Sequence, residues 1–491
     1  MPHQAPLRSL AARSLREVAR AAVLLAALLP CGSARSQGGP AAPNGLLRMV
    51  AGDAAPLLRH ADAAVRGEAA IVLATRRDPY DFAAIAAVAS DPNERAELRG
   101  ILALGMLATP AAALALGDRL TDSGTRARPA GIAAAYALGA MPPEVAPTTV
   151  CRVLTSFLQG SYKRQRELLL ALLQGMQGTE QTEQLTALRR LFDDESLRDA
   201  ELRAVLLTLL LPIDPSLDGA RLRRLLERGS EEEREALVGW LARNPSAADA
   251  TILQPIERIA LQGSRPQLRA AALATLTRLR HLPALELAAR ALRSQHPVEV
   301  AQATVSALQI GGAAMRGVLE RHLAAEADPE LQEAMLRAWA SPPSAELVDT
   351  CVRLATDRSK PMGLRTAAAL TVARSDADRG APLLRDLFRA GEQPDCLASL
   401  AAALRHSGTA EAPLGRLVDG PADLRQHPAQ WRALLATEHP EATRQLLAKL
   451  RNRTAPADDL AVALRVWREA TTNLSERRVQ TLPSSLRSAL E

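Results

Sequence analysis

The sequence predicts an all-α fold, an α-solenoid of about eleven to thirteen two-helix units. Three observations predict it. The 491-residue chain is 47% hydrophobic but only 2% aromatic, so burial rests on Leu, Ala, Val and Ile rather than on rings, and Leu and Ala are strong helix formers. One short pattern recurs down the chain at intervals of 31 to 37 residues, and a period of 20 to 50 residues is the signature of a repeat architecture. Helix-capping side chains stand at a fixed distance before several of the recurrences.

The first 36 residues read as an export signal. Arg8, Arg13, Arg16 and Arg20 form a basic stretch, and Ala21 to Leu29 form an apolar run of nine residues. Small residues follow around Ala34 and Ser36, suited to a cut before Gln37 or after Ala34. The run is shorter than the roughly 20 residues a membrane-spanning helix needs. A competing reading makes this stretch the amphipathic first helix of the array. LLPC at 28–31 raises a variant, a bacterial lipobox with Cys31 as the lipidated residue, but Pro30 departs from the small residue wanted before the cysteine. The expectation is an exported protein of the periplasm or outer envelope, with a lipid anchor through Cys31 as the alternative. Residues 37–44 read as a linker.

Residues 45–410 carry the repeat. Taking Arg66 as position zero, the pattern returns at Arg99, Gly131, Arg166, Arg203, Arg234, Arg269, Ala301, Gln332, Arg365 and Leu397. The residues three and four further on are almost all apolar, the spacing of a helix with one buried stripe. About 33 residues hold two helices of roughly a dozen residues and two short loops. The second helix of each unit carries position zero; SAELVDTCVRLATD (344–357) and LPALELAARALRS (282–294) are examples of the first. Asp62, Asp199, Ser230 and Asp328 stand four residues before position zero, where a side-chain oxygen caps free backbone N–H groups. Ser230 and Glu233 also make a capping box. An Arg so near a helix N-terminus opposes the helix dipole. Its expected partner is a carboxylate or loop carbonyl in its own or the next unit, giving a ladder of charge-assisted bonds along the stack.

The units resemble HEAT-like repeats, especially the short kind associated with phycobilisome lyases. The residues that carry the resemblance are Val65, Arg66, Ala69 and Ala70; Leu202, Arg203, Leu206 and Leu207; Leu268, Arg269, Ala272 and Leu273; and Leu364, Arg365, Ala368 and Ala369. Units with Gly131, Ala301, Gln332 or Leu397 at position zero depart from the pattern. The resemblance implies a scaffold for protein–protein contacts; a minority of the family act on bilin chromophores, so a tetrapyrrole-handling protein is the alternative. A passive structural element of the envelope is a third.

Beyond residue 410 the pattern frays. Apolar spacing survives in WRALLATEHP (431–440), ATRQLLAKL (442–450) and DLAVALRVW (459–467), punctuated by prolines. Residues 411–475 read as degenerate repeats and a C-terminal cap, with 476–491 a tail.

Composition excludes more than it selects. Of the formal net charge of +6, residues 1–36 account for +4, leaving +2 spread over mixed charges. With so few aromatics, the footprint of a nucleic-acid binder is missing. No GxSxG, HExxH, GxxxxGK[ST] or EF-hand pattern is present, so neither a catalytic centre, a metal site nor a cofactor is expected, and the HEAT-like resemblance implies a protein partner. Cys151, Cys351 and Cys396 match no metal spacing and read as small buried side chains. A Cys351–Cys396 disulfide would be permitted outside the cytoplasm. Trp240, Trp339 and Trp467 fall on apolar stripes and read as core.

Overall fold

The computed structural model describes residues 53–121, 129–159, 165–177, 182–194, 197–390, 431, 435, 440–452 and 455–471. Residues 1–36, read as an export segment, with Cys31, residues 37–44 and 476–491, read as a linker and a tail, position-zero residue Leu397 and Cys396 lie outside the described residues.

The chain is all-α; among the described residues there is no strand. In chain order come α1 (Ala63–Ala74), α2 (Phe82–Val88), α3 (Glu94–Leu107), α4 (Pro110–Thr121), α5 (Pro129–Gly139), α6 (Pro147–Gln159), α7 (Arg166–Met176), α8 (Leu185–Asp193) and α9 (Ala200–Leu210). Then follow α10 (Gly219–Arg228), α11 (Glu231–Arg243), α12 (Ala250–Gln262), α13 (Pro266–Arg278), α14 (Ala284–Ala291), α15 (Pro297–Ala325), α16 (Pro329–Ala338), α17 (Ala345–Thr356), α18 (Met362–Ser375) and α19 (Ala377–Ala390). The last are α20 (Pro440–Arg451) and α21 (Ala457–Thr471). Proline opens α4, α5, α6, α13, α15, α16 and α20, at the one helical position where its fixed φ helps and its missing N–H costs nothing.

Two compact units result. The end unit holds α1 to α9 together with α20 and α21. Within it α1, α3, α5, α7 and α9 pack each on the next, and α2, α4, α6 and α8 do the same alongside. The last described helix, α21, lies against α1, and its Leu460, Leu464 and Trp467 are buried. The middle unit holds α10 to α19. There α11, α13, α15, α16 and α18 pack in succession, with α10, α12 and α14 as a parallel series.

Glycine is needed where helix backbones touch and where a helix breaks. Gly139 of α5 and Gly175 of α7 let two helix backbones touch: a Cβ on Gly139 would come 2.2 Å from the Leu172 carbonyl oxygen, and one on Gly175 2.3 Å from that of Tyr136. Gly312 breaks the long α15 into two helices with φ 56° and ψ −137°, a conformation open essentially to glycine alone. The sequence periodicity places a unit boundary here, and the break supplies it without a loop.

The core is built from the recurring stripe. The described residues three and four past position zero are buried, Leu102 alone being half-buried. Ala133, Ala303 and Ala367, two past position zero, are buried as well, and Ala236, Ala271 and Ala334 are half-buried, so small residues serve close helix neighbours. Polar groups are not excluded from these contacts. The Thr275 hydroxyl of α13 lies 3.0 Å from the Val238 carbonyl of α11, and Thr277 donates to Ser306 of α15 at 2.7 Å. Buried polar atoms that are paired in this way fix which helix meets which.

Candidate functional site

Five of the recurring arginines share one geometry. From the first turn of its helix, the side chain reaches back to a carbonyl of the preceding loop or of the last turn of the helix before it. Arg66 donates to the His60 and Ala61 carbonyls at 2.9 and 2.7 Å, Arg234 to Gly229 at 2.9 Å, and Arg269 to Gly263 at 2.6 Å. Arg203 reaches Phe192 O at 3.0 Å and lies over that residue's ring; Arg365 reaches Ala355 O at 3.1 Å. Loop carbonyls left open by the end of the first helix gain donors, which explains why a cation is tolerated at an N-terminus that disfavours it.

Several of the recurring guanidiniums also bridge forward to a carboxylate. Arg66 forks onto Asp91 at 2.7 and 2.9 Å, and that hydrogen bond holds the Asp91 carboxyl below the usual range. Arg166 bonds Asp199 at 2.5 Å and Glu201 at 2.7 Å. Burial pushes the Asp199 carboxyl up, but Arg166 and the Leu202 N–H outweigh it and hold it low. Arg269 pairs with Glu299. Arg99 differs: it is buried, 3.3 Å from the fully buried carboxylate of Glu68, and Arg465 of α21 approaches the same carboxylate at 3.8 Å. Arg451 and Asp53 add a 3.0 Å pair nearby.

The caps sit where local chemistry puts them. Asp62 accepts from the Ala64 and Val65 N–H groups, Asp199 from Leu202 and Asp328 from Glu330. Ser230 and Glu233 form both arms of a capping box. The acids between them also reach forward to the next unit, where Glu231 and Glu232 pair with Arg265, at the start of α13, at 2.9 and 2.6 Å. Of the positions that lack arginine, Gln332 does part of its work, donating to the Glu326 carbonyl at 2.8 Å. Gly131 and Ala301 have no side-chain donor to offer.

Trp339 and Trp467 are buried and Trp240 is half-buried. Cys351 is buried, and burial pushes its thiol up to about 12. Cys151 is half-buried; both are free thiols. Among the described residues no three His, Cys, Asp or Glu side chains converge as a metal site would require, and no helix is long and apolar enough to cross a membrane.

Periodicity does not mark one concavity of the middle unit. A hollow of about 200 Å³ lies over α13 between α12 and α14, lined by Ala260, Leu261, Leu273, Leu287, Arg290 and Ala291. The Arg269–Glu299 pair and Ser294 also line it. Ser294 donates to Glu299 as well, so Arg269, Glu299 and Ser294 satisfy one another, and Arg290 is the other charged residue of the lining. Leu261 is 45% exposed at its edge.

No protein-family model matches the chain, and no curated protein matches it.

Proposed function

We propose that this protein is a non-catalytic, protein-binding scaffold built from HEAT-like repeats as an α-solenoid, and that it is exported. The observation that carries the reading is the recurring arginine that, at five positions, ties the second helix to the loop or helix end before it and, at several steps, to a carboxylate of the next unit. Such bonds serve a stack of like units, and stacks of like units present extended surfaces to partners. The basic stretch and short apolar run of residues 8–29 support export.

The test is native mass spectrometry of a C-terminally tagged copy purified gently from its host's envelope fraction. Added mass in whole-protein steps, on a chain starting near Gln37 or at a lipidated Cys31, is the expected result. A small-molecule adduct in place of a protein partner overturns the scaffold, and an uncut chain found only in the cytosolic fraction overturns export.

A further inference from the structure

The outward side of α10, α12 and α14 is more basic than the stack requires. Arg223, Arg224 and Arg228 are exposed on α10, Arg258 on α12, and Arg290 and Arg293 on and just past α14. Four exposed carboxylates, Glu227, Glu286 and the N-cap residues Asp218 and Asp249 of α10 and α12, oppose these six cations. Glu257 is occupied by His281. Glu227 is held below the usual carboxylate range by its bond from Arg223 and by the nearby charges of Arg258 and Arg228, so several guanidiniums converge on one acid.

The hollow described above opens on this same side. Arg258 and Leu261 are three residues apart on α12 and share its outward face. Leu282, just before α14, is 79% exposed, and the His281–Glu257 pair holds its turn against α12. At about 200 Å³ the hollow is smaller than the roughly 300–1,000 Å³ of small-molecule sites, which suits one apolar side chain. Because Arg269, Glu299 and Ser294 satisfy one another, the lining offers an occupant apolar contact and the charge of Arg290.

We propose that this face is a docking site for an acidic peptide segment of a partner protein, with one leucine-sized side chain in the hollow and flanking carboxylates paired to Arg258 and Arg290. The proposal deepens the scaffold reading and rests on it for the existence of a protein partner. Charge complementarity sets the sign of the partner, and the hollow selects a peptide over a nucleic acid or lipid surface, neither of which brings an isolated apolar side chain.

The test uses the full chain and a fluorescein-labelled peptide, Gly-Glu-Glu-Leu-Glu-Glu-Gly, followed by fluorescence anisotropy at low salt. The expected result is saturable binding that weakens as salt is added. It should weaken at least about tenfold, or about 1.4 kcal/mol, when Arg258→Glu and Arg290→Glu are combined, and again when the peptide's Leu is replaced by Ser. The Ser peptide leaves the protein untouched, so it reads the hollow even where a variant folds poorly. Equal affinity for the Leu and Ser peptides overturns the proposal. So does stronger, salt-sensitive binding of phosphatidylglycerol vesicles or single-stranded DNA that the arginine changes abolish. Peptide binding without any protein partner in the envelope preparation separates failure of the scaffold reading from failure of the site.

Discussion

Arg269 of α13 joins the end of α12 to the start of α15 in the middle unit: its guanidinium bonds the Gly263 carbonyl in the loop behind it and the Glu299 carboxylate in the first turn of α15. Glu299 is nearly buried, so the pair is shielded from the screening that weakens surface bridges. Arg269→Ala is expected to lower stability by about 1–3 kcal/mol, read as a fall in the urea midpoint. Arg269→Lys should recover only part, because an ammonium cannot fork between two acceptors set by a planar group. An unchanged midpoint in the alanine variant would show that the ladder does not hold the stack.

The buried carboxylate of Glu68 makes a sharper case. With Arg99 at 3.3 Å and Arg465 at 3.8 Å, its charge is out of water and answered from two helices. Arg99→Met should cost about 3 kcal/mol by leaving that charge under-compensated, whereas Glu68→Leu combined with Arg99→Met should recover most of the loss. A double-mutant cycle by thermal denaturation measures the coupling; additive effects would refute it.

Backbone conformation offers a third test, with opposite signs at two sites. Ala108 ends α3 with φ 53°, a left-handed conformation that glycine adopts more easily. Ala108→Gly should stabilise the end unit by about 0.5–1 kcal/mol. Gly312→Ala should destabilise the middle unit by about 1–3 kcal/mol, since a Cβ is strained at φ 56° whatever the surrounding space. Differential scanning calorimetry resolves both, and a shift of the same sign in the two variants would contradict the account.

Acid sensitivity follows from the ladder carboxylates. Asp91 is held low by Arg66, and Asp199 by Arg166 and a backbone N–H against the cost of burial. A carboxyl whose folded value is depressed contributes stability fully above its unfolded value, about 3.9, and loses it as pH falls through the folded value. The end unit should therefore lose stability progressively below about pH 4, and Asp91→Asn should flatten that slope while lowering stability at neutral pH. Melting curves from pH 7 downward check this; a variant with the wild-type acid slope would count against it.

The all-helical character was legible because it depends on local rules. A chain with few rings, a 3.6-residue apolar stripe and an Asp or Ser four residues before several of the stripes reveals itself in one dimension. The partners of the arginines were not. Asp91 lies 25 residues from Arg66, Glu299 30 from Arg269 and Asp199 33 from Arg166, so loop length, not the motif, sets the offset. Gln332 looked like a lost arginine, yet one amide N–H suffices for the loop carbonyl. The hollow was invisible because Leu261 is, in sequence, like any other helix leucine; only the position of α14 leaves it half uncovered. Arg465 and Glu68 share no local signal at all.

The packing of α21 on α1 also orders events in time. A ribosome makes α1 roughly 380 residues before α21, and at about 5–20 residues per second that gap is roughly 20 to 80 seconds. Throughout it the side of α1 that α21 will meet lacks that cover, and Glu68 lacks the approach of Arg465. The nascent end unit therefore stays incomplete until α21 has been made. A chain stopped before α21 keeps that side of α1 uncovered for good.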